Sequence, residues 1–165
     1  MVIRVSKCAL LFAVGLFYLL VVFNNLTDYN SNYQFVHHVL MMDSTFPGNA
    51  GMWRAMNPTW IHHAFFDSII CWEILTAVLV VAGAVKMAGK LRASAAEFNV
   101  AKRLGVAALT LSLLMWLVAF LSVGAEWFLM WQSRTWNGQE AAGRMFNVIG
   151  LLLIYVAIPD GEGQA

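Results

Sequence analysis

With 165 residues, 61% of them hydrophobic and only 12% charged, the chain has too little polar surface to coat a water-soluble particle; about 45–50% apolar and about 25% charged is usual for those. Lipid is the solvent that suits such a composition. A net charge of +1, with no basic patch interleaved with aromatics, gives no sign of nucleic acid as a partner, and none is expected; the length suits one transmembrane domain over residues 1–165.

About 20 apolar residues in a helix cross a hydrocarbon core of about 30 Å, and four stretches approach that length. Arg4 and Lys7 lead into an apolar run from Cys8 to Phe23. No small-x-small cleavage site follows, so residues 5–23 are expected to be an uncleaved first span rather than a secretory signal. The second span is expected over residues 61–85, the third over 104–125 and the fourth over 141–158. Backbone groups in lipid must be satisfied within their own segment, which makes all four helical. Cys8 and Cys71 fall at different depths and are expected to be two buried small apolar residues rather than a disulfide.

The outer loop, residues 24–57, is too long for a tight turn. Ser31-Asn-Tyr-Gln34 resembles a capping box, and Phe35, Val36, Val39 and Leu40 follow at helical spacing, predicting a surface helix over about 32–42. Pro47-Gly48 breaks it, and Met52, Trp53 and Met56 suggest a second short turn. Asn57-Pro58 reads as an N-cap and first-turn proline for the second span. Ser94-Ala-Ala-Glu97 fits another capping box, so the third helix starts well before the membrane and, run on to Trp131, is unusually long. Ala101, Gly105, Ala108, Ser112, Ala119 and Ser122 give it a stripe of small residues, suited to close helix packing in lipid. Asn137-Gly-Gln-Glu140 starts the fourth helix and Pro159-Asp-Gly ends it, leaving a short polar tail. The fold class is thus all-α: a four-helix transmembrane bundle with a partly helical outer loop and a long third helix.

Orientation follows from Lys and Arg, which favour cytoplasmic connections. With both termini in the cytoplasm, Arg4, Lys7, Lys86, Lys90, Arg92, Lys102 and Arg103 lie inside, against Arg54, Arg134 and Arg144 outside. Trp53, Trp60, Trp127, Trp131 and Trp136 then gather at the outer interface, where indole prefers to sit.

Catalytic patterns are missing: there is no GxSxG, P-loop, CxxC or paired-glycine phosphate fingerprint. Glu73 is the most informative position. It precedes Lys86 by 13 residues, about 20 Å along a helix, so it falls near mid-membrane, where a carboxylate is costly and points to function. It is a proton or ion relay, a substrate contact, or a structural hydrogen bond between helices. Arg144 falls at similar depth and is a candidate partner for Glu73 or Asp67; alternatively its side chain snorkels to the outer interface. Glu126, Arg134 and Glu140 flank the last outer connection. His37-His38 and His62-His63, with Asp67 one turn beyond, are weak candidates for a zinc or copper site. No cofactor is implied, since no histidine lies deep enough for haem. Asn25-Leu26-Thr27 matches a glycosylation sequon, without meaning in a bacterium.

The segment Gly124-Ala-Glu-Trp-Phe-Leu-Met-Trp-Gln-Ser-Arg-Thr-Trp-Asn-Gly-Gln139 resembles a bacterial family of predicted small integral membrane proteins. Phe23-Asn-Asn-Leu-Thr-Asp-Tyr29 and Trp60-Ile61 look similar too. The resemblance implies four spans and a bacterial inner membrane, and makes Glu126, Gln132, Ser133, Asn137 and Gln139 site candidates, but it brings no activity. Two functions compete. One is a non-enzymatic accessory or interaction subunit, with the bilayer and another membrane protein or a second copy as partners. The other is a small transporter or ion relay using Glu73 with Asp67 and Arg144.

Overall fold

The computed structural model describes residues 1–161 and is all-α; the rest of the expected polar tail lies outside the described residues. The helices are α1 (Val2–Thr27), α2 (Tyr29–Met41), α3 (Thr59–Ala88), α4 (Ala95–Leu114) and α5 (Gln139–Ala157). A π-helical stretch, Met115–Trp127, continues α4 without a break, and single 3-10 turns lie at Met52–Arg54 and Met130–Gln132. Among the described residues, four helices are long and apolar enough to cross a membrane: Val2–Thr27, Thr59–Ala88, Ala95–Trp127 and Gln139–Ala157.

Local chemistry sets most boundaries. Ser94 Oγ accepts the Glu97 backbone N–H at 3.3 Å while the Glu97 carboxylate accepts the Ser94 N–H, so the capping box that starts α4 is made. Asn137 Oδ1 accepts the Gln139 N–H at 3.0 Å and caps α5. The box expected at Ser31 is not made. α2 already begins at Tyr29, and Gln34 turns to Asn30 at 3.1 Å instead.

The third long helix ends at Trp127, its last part wound as a π-helix. Phe128 donates to the Val123 carbonyl five residues back, and Leu129 then takes a left-handed φ of 55° that turns the chain into Met130–Gln132. Wider winding rotates less per residue, so a stripe spaced for an α-helix drifts off its face. Gly105, Ala108 and Ser112 are buried as expected, but Ser122 is exposed and bonds the Leu117 carbonyl.

Contacts divide the chain into two compact units, and each long helix contributes to both. The first comprises Met1–Val22, Glu73–Leu113 and the chain from Val148 onward. It holds Arg4, Lys7, Lys86, Lys90, Arg92, Lys102 and Arg103, and is called the basic unit below. Here α3 and α4 meet at glycines: a Cβ built on Gly83 would lie 2.8 Å from the Gly105 backbone. Tyr18 and Ser112 hydroxyls bond at 2.6 Å, tying α1 to α4 where lipid offers no alternative partner.

The second unit, Phe23–Trp72 with Leu114–Asn147, contains all 7 tryptophans. In this tryptophan unit α2 buries Tyr33, Val36, Val39 and Leu40, one amphipathic stripe, against Phe66, Ile70, Phe128 and Met130. Trp53, Trp60, Trp127 and Trp131 stay exposed.

Candidate functional site

The motif residues of the last connection knit the tryptophan unit together. Gln132 Oε1 accepts the Phe46 backbone N–H at 3.1 Å and Asn49 Nδ2 at 3.3 Å. Buried Ser133 Oγ accepts from Ser44, from the Thr135 N–H and from the Trp136 N–H. Arg54 donates to the carbonyls of Glu126 and Trp127 and sits over the rings of Trp53 and Trp127 at 5.4 and 5.3 Å, a cation–π clamp. Gln132, Ser133 and Asn137 therefore shape loops, Gln139 opens α5, and the Glu126 carboxylate is exposed.

The histidines form three separate bonded sets. Tyr29 donates its hydroxyl proton to Asp67 at 2.9 Å, so His63 Nδ1, 3.0 Å away, donates to the Tyr29 oxygen. Partial burial and then the bond to Asp67 push the Tyr29 phenol up to about 12. The second set joins His37 and His62 through their Nδ1 atoms at 2.9 Å. His62 Nε2 lies 2.7 Å from the Met56 carbonyl and must donate to it; with neutral rings His37 Nδ1–H then donates to His62. His38 lies 2.6 Å from Asp43 and stacks on Trp136 at 4.5 Å. Among the described residues no three His, Cys, Asp or Glu side chains converge as metal ligands, and His37, His38, His62 and His63 are each engaged in the bonds and stacks just described.

Burial first, then neighbouring His62 and His38, hold the His37 imidazole below its usual 6.5, although Asp43 pulls the other way. In the window below 6.5 the unfolded chain binds the extra proton, so stability rises with pH there and is complete above it. Thermal unfolding in detergent between about pH 5 and about pH 8 should show this rise, and His37→Gln should flatten it. Parallel curves for the two proteins would rule His37 out as the titrating group.

Arg144 is exposed and pairs with Glu140, four residues earlier on α5, at 2.6 Å. Asp67 is exposed and bonded to Tyr29, whereas Glu73 is buried at 4% exposure.

Beside these polar sets lies a cavity of about 230 Å³ within the tryptophan unit. α2 supplies Phe35, α3 supplies Phe65 and Trp72, and the π-helical stretch supplies Ala119, Phe120 and Val123. Ser68, the one hydroxyl on the wall, spends its proton on the Phe65 carbonyl at 2.7 Å. The wall thus offers dispersion contacts and almost no hydrogen bonds.

Sequence reasoning missed a charged cluster in the basic unit. Lys7 and Lys102 both reach Asp160 Oδ2, at 2.8 and 2.7 Å, and both also donate to the Ile158 carbonyl at 2.7 Å. Asn99 completes the clamp by exchanging two bonds of 3.0 Å with the Asp160 backbone. Burial raises the Asp160 carboxyl, but the two ammonium groups outweigh it and hold the group below 3.8. The cluster anchors the end of α5 to α1 and α4. Its trace in the sequence is slight: an acid just beyond Pro159.

Long apolar helices, a buried ionic anchor and a bare hydrophobic cavity define an all-α protein that passes through a membrane several times. The chain belongs to the family described as predicted small integral membrane protein (DUF2165), whose profile matches residues 3–159. Among curated proteins and among solved structures, none matches the chain.

Proposed function

We propose that this is a non-enzymatic accessory protein of the bacterial inner membrane, a single domain with both termini in the cytoplasm, which holds a lipid hydrocarbon chain in the cavity of its tryptophan unit. The observation that carries this reading is the cavity wall. It is aromatic and aliphatic throughout, its one hydroxyl is already engaged, and the π-helical stretch that forms one side is a form of helix that recurs at functional sites. Lysines and arginines concentrated in the basic unit support the orientation. The relay reading has less support: Arg144 is paired on its own helix, Asp67 is bonded to Tyr29, and Glu73 is buried without lining this cavity.

The test is extraction of the purified protein and mass spectrometry of what leaves with it. One lipid per chain is expected, reduced at least about tenfold by Ala119→Trp, which places an indole in the cavity at a cost to the ligand of more than about 1.4 kcal/mol. Equal lipid in both proteins, with both folded, would contradict the assignment.

A further inference from the structure

Four of the basic unit's cations are held within the fold. Arg4 donates to the Leu91 and Ala93 carbonyls, Lys7 and Lys102 share Asp160, and Lys90 pairs with Glu97 at 2.9 Å. Among the described residues, Lys86, Arg92 and Arg103 make no hydrogen bond or ion pair. Two of these three, Lys86 and Arg103, border a single open groove along α4. Val100 and Leu104, one turn apart, form its apolar wall, and Val100 is 55% exposed. Glu97, the carboxylate on the rim, is already bound by Lys90 and by the Ser94 cap. The groove therefore keeps two uncompensated cations beside an aliphatic strip.

We propose that this groove binds an anionic phospholipid, the phosphate between Lys86 and Arg103 and one acyl chain along Val100 and Leu104. Charge complementarity selects the headgroup. The position selects a lipid over a soluble anion, because Lys86 stands in the last turn of one candidate span and Val100 and Leu104 belong to another. A free phosphate leaves the aliphatic strip unused, and a zwitterionic lipid carries its own cation. Basic pockets between membrane helices recognise anionic headgroups on these terms. The proposal is independent of the hydrocarbon cavity, which lies in the other unit.

The full chain, purified in mild detergent, is titrated with phosphatidylglycerol or phosphatidylcholine, and bound lipid is counted by native mass spectrometry. Phosphatidylglycerol should be preferred, and Lys86→Gln with Arg103→Gln should lower that preference about 30-fold, about 5-fold for each cation. Both side chains are exposed and unpaired, so the double variant should unfold at the wild-type temperature. Arg92→Gln, removing a free cation away from the groove, and Ala119→Trp should leave the preference intact. Equal binding of the two lipids by the wild type would overturn the proposal. So would an undiminished preference in the folded double variant, or full displacement of the lipid by inorganic phosphate.

Discussion

Asp160→Asn should unfold at a much lower temperature than the wild type, with a loss of about 3–5 kcal/mol, the range for removing one partner of a buried ion pair. Its side chain is 0% exposed and receives two ammonium groups, themselves 1% and 5% exposed. The substitution keeps the shape and takes the charge, leaving two lysines without compensation inside the fold. Removing the whole cluster, with Lys7→Met, Lys102→Met and Asp160→Leu together, should cost far less, because apolar residues of similar volume replace ions that were expensive to desolvate. If the triple variant were as unstable as the single one, packing at the α5 terminus and not charge would be the cause. The pH dependence has a definite sign. A carboxylate depressed below 3.8 adds stability that is present above that value and lost as pH falls through its folded value. Acid loss from this cluster thus lies below 3.8, whereas the rise due to His37 extends up to 6.5, and Asp160→Asn should remove only the former.

Gly83→Ala is the second large effect, at about 1–3 kcal/mol of overpacking. Its new methyl would meet the Gly105 Cα and N at 2.8 Å, and backbone has no rotamer with which to yield. Gly105→Ala looks equivalent in sequence yet should cost less than about 1 kcal/mol, since the close atoms there are the Leu11 Cδ2 at 2.7 Å and the Met87 sulfur at 3.4 Å, both ends of flexible side chains. Gly143→Ala supplies the control: nothing lies within 4 Å of its added methyl, and in mid-helix alanine is favoured by up to about 1 kcal/mol. The expected order of unfolding temperatures is Gly143→Ala highest, then Gly105→Ala, then Gly83→Ala. An inverted order for the two contact glycines would mean that α3 and α4 do not meet at Gly83.

Much of the fold was legible because its determinants are local. Ser94 with Glu97, Asn137 before Gln139, and Pro58 before Thr59 mark helix starts through bonds that span a few residues. Ser31 misled for the same reason: a matching pattern lay inside a helix that starts earlier, at Tyr29. The π-helical stretch left no local trace, since wide winding reflects how Met115–Trp127 packs rather than which residues it contains. The site was harder still. Asp160 meets lysines 153 and 58 residues away, a distance at which spacing carries no information. Arg144, by contrast, finds its ion-pair partner locally, in Glu140 four residues earlier.

We propose that lipid surrounds these helices and that Lys90 and Trp131 lie on opposite sides of it. Cysteine labelling in intact cells tests it most directly, in a background with Cys8 and Cys71 changed to alanine. Trp131→Cys should react with a membrane-impermeant maleimide at once, and Lys90→Cys only after the membrane is opened. Reaction of both residues before opening, or recovery of the folded protein from the aqueous fraction without detergent, would contradict the account.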